Sequence, residues 1–475
     1  MLEKIARTIA PILNVTKVEI IIDLILSFYV VPSAVTTRSL ARYSERSLRS
    51  WFRFLSKDYD WVKCRASLFE KFIYKPKTVY VLGADETMQT KSRKGTYGID
   101  SFYNSIVGIT QRGVGFLGIA IIDVSAKKSY NVGVLQIVRT AEDKARTAAQ
   151  KEGKHVSAKK KKAKQKTKKS TATDTNTTPL TDTKRKAGRP KGSTNKEKTV
   201  ENIPETPSLR YFRLLLNALM GTLTVLMPDI NLKHIVGDNA YATLKYLNIA
   251  LAQNLFLISK LKRNSVLQLP YVYTEETPYI RGRRKIYGTT IANENPPKAF
   301  LKANVIDQEA GTRTETFQFE AYAPGCFGQI LLNIIILRTE DLATKKVSVL
   351  LFFSNDLSLS AQQIWDYYHV RYQIEFDFRD AKQFFGFAHF KNYIQKNVTN
   401  IVNLAFLLCL ISKILLPHYR QTFAIPTLGI ADLKTIFNAR FTLKSFLNIS
   451  QKTTDSIFNA EKIDQFIPLY LINAA

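Results

Sequence analysis

Short apolar segments that are typical of β-strands alternate with segments of helical periodicity, and this alternation constrains the fold more than any other feature of the sequence. The strand-like segments include "KTVYVLGAD", "KHIVGD" and "LFLISKL", and the helical ones include "SLRYFRLLLNALMGTLTVL" and "ATLKYLNIALAQNL". Strands that are separated by helices pack into a sheet that those helices cover. The sequence therefore predicts an α/β core.

The same patterns divide the 475 residues into seven predicted regions. Residues 1–75 are helical, whereas residues 140–203 are rich in Lys, Thr, Ser and Ala and contain almost no large apolar residue. A segment of that composition cannot bury enough surface to fold alone, so we predict disorder there. The core comprises residues 76–139, 204–262 and 346–395, a β-rich insertion occupies residues 263–345, and residues 396–475 are helical.

The charge of the chain points to a polyanionic partner. The sequence has 69 Lys and Arg against 39 Asp and Glu, which gives a formal net charge of +30. Nucleic acid is the commonest partner of so basic a protein, and a generic basic surface is the alternative.

The N-terminal region contains a candidate DNA-binding motif. The stretch "TTRSLARYSERSLRSWFRFL" forms two short amphipathic segments, which predict either a helix-turn-helix or a plain helical cap with a solvated basic face. In both cases Arg42, Arg46, Arg49 and Arg53 should project to nearly the same side.

Cysteine usage and the apolar runs are typical of a protein of the reducing cytosol without a membrane span. Cys64, Cys326 and Cys409 have neither zinc-binding nor disulfide spacing. The run "IIIDLILSFYVV" contains Asp23, and "LAFLLCLISKILL" is interrupted by Lys413, so both predict buried helices. We therefore expect a cytoplasmic protein.

Two aspartates end predicted strands. Asp85 follows "VLGA", and Asp238 follows "HIVG". Loops at strand ends are where α/β sheets hold ligands, and an aspartate beside a buried strand is costly unless it binds something. For either residue alone, an N-cap or turn role is the alternative.

The stretch "YYHVRYQIEFDFRDAKQFFG" places four polar side chains on one helical stripe: Tyr368, Arg371, Glu375 and Lys382. Offsets of three, seven and fourteen residues from the tyrosine fall at about 300°, 340° and 320° on a helix. Glu375 would then lie where the helix meets the sheet, aimed at the two aspartates. The alternative is an ordinary i,i+4 ion pair of Arg371 with Glu375.

One continuous helix is predicted from a capping box of Ser360 and Gln363 to about residue 385. Its sheet-facing stripe should consist of Tyr367, Val370, Ile374, Phe378, Ala381 and Phe385. Its opposite, solvated side should consist of Asp366, Gln373, Asp377 and Asp380.

Three converging carboxylates suit two Mg²⁺ ions, because hard cations prefer oxygen ligands. A two-metal site activates a water or a 3′-hydroxyl and stabilises the leaving oxygen of a phosphodiester. The neighbouring cations would hold the DNA backbone beside the ions.

At this point the sequence resembles a known family. The stretch "YHVRYQIEFDFRDAK" is similar at every position to the Tyr-x2-Arg-x3-Glu-x6-Lys signature of bacterial insertion-sequence transposases with an RNase H-like DDE catalytic domain. "DETMQTK" resembles the family's first-aspartate segment, and "GDNAYA" resembles its second. The order of the motifs and the β-rich insertion also match, over roughly residues 75–415.

The resemblance implies an α/β fold with an RNase H-like mixed sheet flanked by helices, a β-rich insertion before the last catalytic helix and a helical N-terminal DNA-binding domain. Asp85, Asp238 and Glu375 would be the catalytic triad that binds two Mg²⁺ ions, for which Mn²⁺ could substitute. The predicted contacts to DNA are Tyr368, Arg371 and Lys382, with Lys91 of "DETMQTK" as a further one.

The implied function is cut-and-paste transposition. Such an enzyme binds the terminal inverted repeats of its element in double-stranded DNA, cleaves the ends and joins the 3′-hydroxyls to target DNA. The resemblance also implies a homodimer on DNA, associated with the nucleoid in the bacterial cytoplasm. The alternatives are a metal-dependent nuclease of the same fold without strand transfer and a non-catalytic protein that binds AT-rich DNA.

Some relatives cut through a DNA hairpin and stack a flipped base on an aromatic side chain, sometimes a Trp of the insertion. The three Trp of this chain, at positions 51, 61 and 365, all lie outside the insertion. Since any aromatic face can stack a base, the candidate substitutes are Tyr271, Tyr273, Tyr279, Tyr287 and Phe300.

The basic segment contains a motif that resembles AT-hooks. In "KRKAGRPKGSTNK", Arg189 lies between Gly188 and Pro190 and could enter a narrow A·T minor groove. The residue before the Gly is Ala187 instead of the usual Arg, so a non-specific polybasic linker is the alternative.

Overall fold

The computed structural model describes residues 1–32, 34–104, 108–149, 205–274 and 284–449. Arg189 with its AT-hook-like motif, Tyr279 and most of segment 140–203 lie outside the described residues, and residues 141–149 of that segment are helical. The described residues between 138 and 210 form a small unit, in which Asp143 accepts hydrogen bonds from Arg146 and Arg210, each at 2.8 Å. All other described residues belong to the main unit.

The helices and strands alternate much as the sequence predicts. The helices are α1 (Leu2–Ile9), α2 (Val18–Val30), α3 (Thr37–Arg42), α4 (Leu48–Leu55), α5 (Trp61–Phe72), α6 (Pro207–Leu226), α7 (Leu244–Leu251), α8 (Pro324–Phe327), α9 (Ala361–His369), α10 (Gln373–Phe384), α11 (Gln395–Phe423) and α12 (Ile430–Ile449). The strands are β1 (Tyr80–Thr90), β2 (Asp100–Asn104), β3 (Ile109–Asp123), β4 (Lys128–Ile137), β5 (Leu232–Val236), β6 (Phe256–Leu261), β7 (Leu267–Pro270), β8 (Tyr287–Ile291), β9 (Leu301–Asp307), β10 (Thr312–Tyr322), β11 (Leu331–Asp341) and β12 (Val347–Ser354).

These strands form one mixed sheet. In its first half, β4, β3 and β1 are antiparallel neighbours, and β1, β5 and β6 follow as parallel neighbours. Parallel neighbours need a crossover connection, and α7 is the helix between β5 and β6. This order fits an RNase H-like sheet and confirms the predicted fold class.

The β-rich insertion continues the same sheet. β12 pairs antiparallel with β6, and the order then runs through β11 and β10 to β7 and β8, with β9 paired to β10. The apolar stretch "KVSVLLFFSND", which contains β12, therefore returns to the core sheet.

The N-terminal helices pack against α11 instead of standing apart. The Asn400 side chain of α11 donates to the carbonyls of Leu55 and Lys57, both at 2.7 Å, and accepts from Trp61 Nε1 at 2.8 Å. Arg65 is fully buried and donates to Asn403. This arrangement is that of a helical cap on the core.

The basic face of the candidate helix-turn-helix is only partly as predicted. Short helices α3 and α4 form, and Arg42, Arg49 and Arg53 are exposed. Arg46 instead lies over the ring of Trp51 and 3.7 Å from Asp23, with 14% of its side chain exposed. It belongs to the packing of the cap, because its guanidinium finds an aromatic face and a carboxylate there.

The helix α11 is long and apolar enough to cross a membrane by length and composition alone, as is α6. In α11, however, 89% of the apolar stretch is buried inside the structure, as in the core helix of a globular domain. The prediction of a buried helix at "LAFLLCLISKILL" is confirmed.

The predicted helix 360–385 is interrupted. The capping box of Ser360 and Gln363 is present, but a 3₁₀ turn at Val370–Tyr372 separates α9 from α10. The buried side includes Val370, Ile374, Phe378, Ala381 and Phe385, which confirms most of the sheet-facing stripe.

The predicted solvated side of this helix is wrong. Asp377 and Asp380 are 1% and 7% exposed. The reason is α11, which packs against this side of α10 and places the ammonium of Lys413 against the carboxylate of Asp377. A buried carboxylate is tolerated when an opposite charge meets it.

Candidate active site

The register of two parallel strands brings Asp85 and Asp238 to the same level of the sheet. In the pairing of β1 with β5, Gly83 lies opposite Val236. Asp85 and Asp238 each follow this last pair by two residues, and the charge of Asp238 acts on Asp85. The two aspartates therefore lie near each other just beyond the last parallel pair.

Asp85 lies inside β1, so the prediction that it ends its strand is wrong. β1 continues to Thr90 because its other neighbour, β3, keeps pairing with it, with Asp85 opposite Gly118 and Thr90 opposite Gly113. Only the pairing with β5 stops before the aspartate.

Asp238 begins a tight turn after β5. Its Oδ1 accepts a hydrogen bond from the backbone N–H of Ala240 at 2.9 Å, and its carbonyl accepts one from Ser259 Oγ at 2.6 Å. Gly237 has no room for a side chain, because a Cβ there would overlap the ring of Tyr241. The N-cap role considered for Asp238 is thus present together with its placement beside Asp85.

Arg371 connects the sheet to the helix at this point. Its Nη1 lies 3.0 Å from Asp85 Oδ2, and its Nη2 lies 3.2 Å from Glu375 Oε1. The i,i+4 pair with Glu375 therefore exists, but the same guanidinium also holds a residue 286 positions away in the chain. Two of the three predicted carboxylates are brought together by one cation.

The charges of the other two acids act on the pKa of Asp85. Burial raises the pKa of Asp85 to about 6, whereas Arg371 and the backbone N–H of Glu86 act to lower it. The charges of Asp238 and Glu375 raise it further. Like charges near one another disfavour the ionised form, so Asp238 and Glu375 lie near enough to act on Asp85.

The other two residues of the signature also face the sheet, Tyr368 at β12 and Lys382 at β1. Tyr368 packs its ring against Phe352, with centroids 4.7 Å apart, and lies beside the guanidinium of Arg371. Lys382 Nζ donates to Thr87 Oγ1 at 2.8 Å, and burial lowers its pKa. Thr87 lies two residues after Asp85, on the same face of the strand.

Lys91 already has partners within the protein. Its ammonium donates to the carbonyls of Phe390 and Ala388 and lies 3.5 Å from the centroid of the Phe390 ring. Burial lowers its pKa to about 8. A DNA contact by Lys91 would require this ammonium to leave the two carbonyls.

The described aromatic candidates of the insertion pack mostly on one another. Tyr271 and Tyr273 are in edge-to-face contact, with centroids 4.7 Å apart, and Tyr273 is 48% exposed. Tyr287 contacts Tyr322, and Phe300 contacts Phe319. Tyr273 therefore offers the most open ring among these described candidates.

The donor set suits a divalent cation, but its present arrangement does not yet form a metal site. Among the described residues, no three His, Cys, Asp or Glu side chains are arranged to hold a metal ion. In the position between Asp85 and Glu375 lies the positively charged guanidinium of Arg371, which donates one hydrogen bond to each carboxylate. Oxygen donors are what Mg²⁺ prefers, so the carboxylates are of the type that fits such an ion.

The comparison with protein families agrees with this geometry. A family model described as the transposase DDE domain matches residues 136–411. The chain belongs to the DDE transposase family. The matched region contains Asp238, Glu375 and the helices α9 and α10, and it begins after Asp85. No curated protein matches this transposase.

Sequence reasoning missed two features that position the site. Thr87 anchors Lys382, and its place two residues after Asp85 in a strand was the available signal. Asp377 and Lys413 lock α10 to α11 behind the site. A lysine inside a strongly apolar helix was the signal for this pair, because such a charge needs a buried partner.

Proposed function

We propose that this transposase cleaves the DNA at the ends of its insertion sequence and joins the freed 3′-hydroxyls to target DNA. The observation that carries the proposal is the double pairing of Arg371 with Asp85 and Glu375, beside Asp238. Side chains from β1, from the turn after β5 and from the helical segment thereby come together where the parallel pairing of β1 with β5 ends. We call this place the sheet edge, and a phosphodiester can reach it there.

In this proposal Asp85, Asp238 and Glu375 together hold two Mg²⁺ ions, for which Mn²⁺ could substitute. When bound, such ions polarise the phosphodiester and favour attack by water or a 3′-hydroxyl. Glu375 is 56% exposed and can turn toward the aspartates without disturbing the core.

Arg371 and Lys382 bind the DNA backbone in the proposed complex. Arg371 now donates one hydrogen bond to each of two carboxylates, and one phosphate can accept from both nitrogens at once. Arg371 can thus move from carboxylate to phosphate when DNA arrives, which frees Asp85 and Glu375 to act as ligands. Tyr368 lies beside this guanidinium and limits the directions in which it can turn.

The remaining parts of the proposal concern the surroundings of the site. The exposed Arg42, Arg49 and Arg53 of the N-terminal helices contribute to binding of the terminal repeats, and Arg189 contributes affinity for A·T-rich DNA. The enzyme acts as a homodimer on DNA, in the bacterial cytoplasm and associated with the nucleoid.

The direct test is to incubate the protein with Mg²⁺ and the DNA that flanks its own reading frame, and to map the cut strands. We expect cleavage at both ends of the element, and joined products when pre-cut ends with a free 3′-hydroxyl are supplied. Cleavage without joined products would leave a nuclease of the same fold. DNA binding without any cleavage would leave an architectural protein.

A further inference from the structure

Besides the arginines of the N-terminal helices, a second basic surface lies beyond the carboxylates, where β1 ends and the chain continues through residues 91–99. Three segments that are hydrogen-bonded to one another carry four exposed cations and one exposed aromatic ring there. We call them the strand-end surface: Arg93, Lys94, Arg112, Lys391 and Tyr393.

The segment after α10 is built to present two of these side chains. Burial alternates along it, because Phe390 and Asn392 are buried whereas Lys391 and Tyr393 are exposed. The segment begins at Gly386, whose φ of +82° and close approach to the carbonyl of Val35 exclude a side chain. Its outward-facing side chains are therefore held on a fixed backbone.

The two halves of the surface are tied together. The backbone N–H of Tyr97 donates to the carbonyl of Tyr393 at 2.9 Å, and Lys91 Nζ donates to the carbonyl of Phe390 at 2.7 Å. The guanidinium of Arg93 lies 4.1 Å from the centre of the Tyr393 ring. Lys91 thus acts as the internal support of a surface whose outer cations face solvent.

Cations outnumber acids around this surface. Residues 87–99, 108–117 and 381–396 contain no Asp or Glu, and Asp100, opposite Gly113, is the acid that borders them. A surface of clustered cations with an aromatic ring is complementary to a nucleic-acid backbone.

The length of β1 gives the distance from Asp85 to Lys91, where the strand-end surface begins. Six residues of extended chain separate Asp85 from Lys91, which corresponds to roughly 20 Å. Duplex DNA advances about 3.4 Å per base pair, so this span equals about six base pairs. Lys382, bonded to Thr87, lies between the two points.

We propose that the strand-end surface binds the DNA duplex about six base pairs from the phosphate that is cleaved. This inference rests on the proposed function, because the cleaved phosphate defines its reference point. The duplex lies along the extension of β1, with Lys382 nearest to the cut and Arg93 and Lys391 furthest from it.

The test combines a double variant with shortened DNA. The salt dependence of binding is measured for the wild type and for Arg93→Ala/Lys391→Ala on a long duplex that carries the mapped cut. It is measured again on duplexes that end about three base pairs from the cut, on one side or the other. We expect the double variant to reduce the slope of log K against log salt by about two on the long duplex. On one of the two shortened duplexes, the variant and the wild type should have the same slope.

The matched control is Lys71→Ala/Lys77→Ala, which removes two exposed cations near the opposite end of β1 and should leave the slopes unchanged. An equal loss on all duplexes, or no loss on any, overturns the inference. If the wild type cleaves and joins DNA while the double variant shows no such length-dependent loss, only this inference fails. If the wild type neither cleaves nor joins DNA, the proposed function fails first, and this inference fails with it.

Discussion

Two regions of the molecule place an arginine against oxygen acceptors, and they hold it very differently. At the seam of α11 with α4, α5 and α10, Arg65 is completely buried and donates to the backbone and side-chain oxygens of Asn403. At the sheet edge, Arg371 is 14% exposed and shares its donors between Asp85 and the 56% exposed Glu375.

The difference lies in what could replace the partners. The seam is closed, so a group that loses its partner there stays unsatisfied, which costs about 1–3 kcal/mol for a neutral group and more for a charged one. At the sheet edge, water, a phosphate or a cation can take over either side of the ion pair. The seam therefore stabilises the fold, whereas the sheet edge is arranged for exchange of partners.

The largest expected effect tests the sheet edge. Glu375→Gln should reduce Mg²⁺-dependent cleavage by about 10⁴-fold or more, because a residue that acts as part of a catalytic unit is not replaceable. Its exposure means that DNA binding and the free energy of unfolding should change little. Gel-based cleavage, binding titrations and urea unfolding measure the three quantities.

The matched control for this variant is Glu294→Gln, which also removes an exposed glutamate that is paired with an arginine. It should cleave at the wild-type rate. Residual cleavage by Glu375→Gln within tenfold of the wild type would remove Glu375 from the triad.

The second prediction tests the seam. Asp377→Ala removes the buried carboxylate that Lys413 contacts and should lower the free energy of unfolding by about 1.5–3 kcal/mol, because a hydrogen bond between charged groups is lost while Lys413 keeps the carbonyl of Ser129. Urea unfolding followed by circular dichroism measures the change.

Glu3→Ala provides the contrast, because it breaks an i,i+4 pair whose side chains are 66% and 61% exposed. Such exposed pairs contribute little to stability, because water and salt screen both charges. If both variants lose the same small free energy of unfolding, the seam is no better shielded from water than the surface.

The third prediction concerns the folding stability that is lost when the buried Asp85 is ionised. Its folded-state pKa of about 6 lies above the ordinary value of 3.8, so its stabilising contribution is complete below pH 4 and is lost as the pH rises through 6. Asp85→Asn, free of DNA and metal, should therefore be more stable than the wild type at pH 8, by about 1–3 kcal/mol.

This gain should shrink to a small part of its pH 8 value near pH 4, where Asp85 is protonated in the folded wild type and close to half protonated in the unfolded chain. Urea unfolding at the two pH values measures it. A variant that is less stable than the wild type at pH 8 would mean that the ion pair with Arg371 outweighs burial, and the sheet edge would then resemble the seam.

The same contrast explains what the sequence could predict. The stripe of Tyr368, Arg371, Glu375 and Lys382 could be found because its spacing is helical, although a 3₁₀ turn at Val370–Tyr372 divides the helix. Asp377 and Asp380 could not be placed, since α11 covers them and a single helix does not reveal which face its neighbour will cover. The extent of β1 beyond Asp85 likewise depends on β3, which pairs with it further than β5 does.

The smallest expected effect decides whether Lys382 exchanges its partner Thr87 for DNA or only fixes β1 to α10. Lys382→Ala should reduce the slope of log K against log salt by about one, because one phosphate contact is lost. Thr87→Val is the matched variant, since it removes the hydroxyl that Lys382 now holds but leaves the ammonium in place. If Lys382 serves DNA, the valine variant keeps the wild-type slope, because the ammonium moves from the hydroxyl to the phosphate. If both variants lose the same slope, Lys382 acts only by fixing β1 to α10, and the partners at this edge are as permanent as those of Arg65.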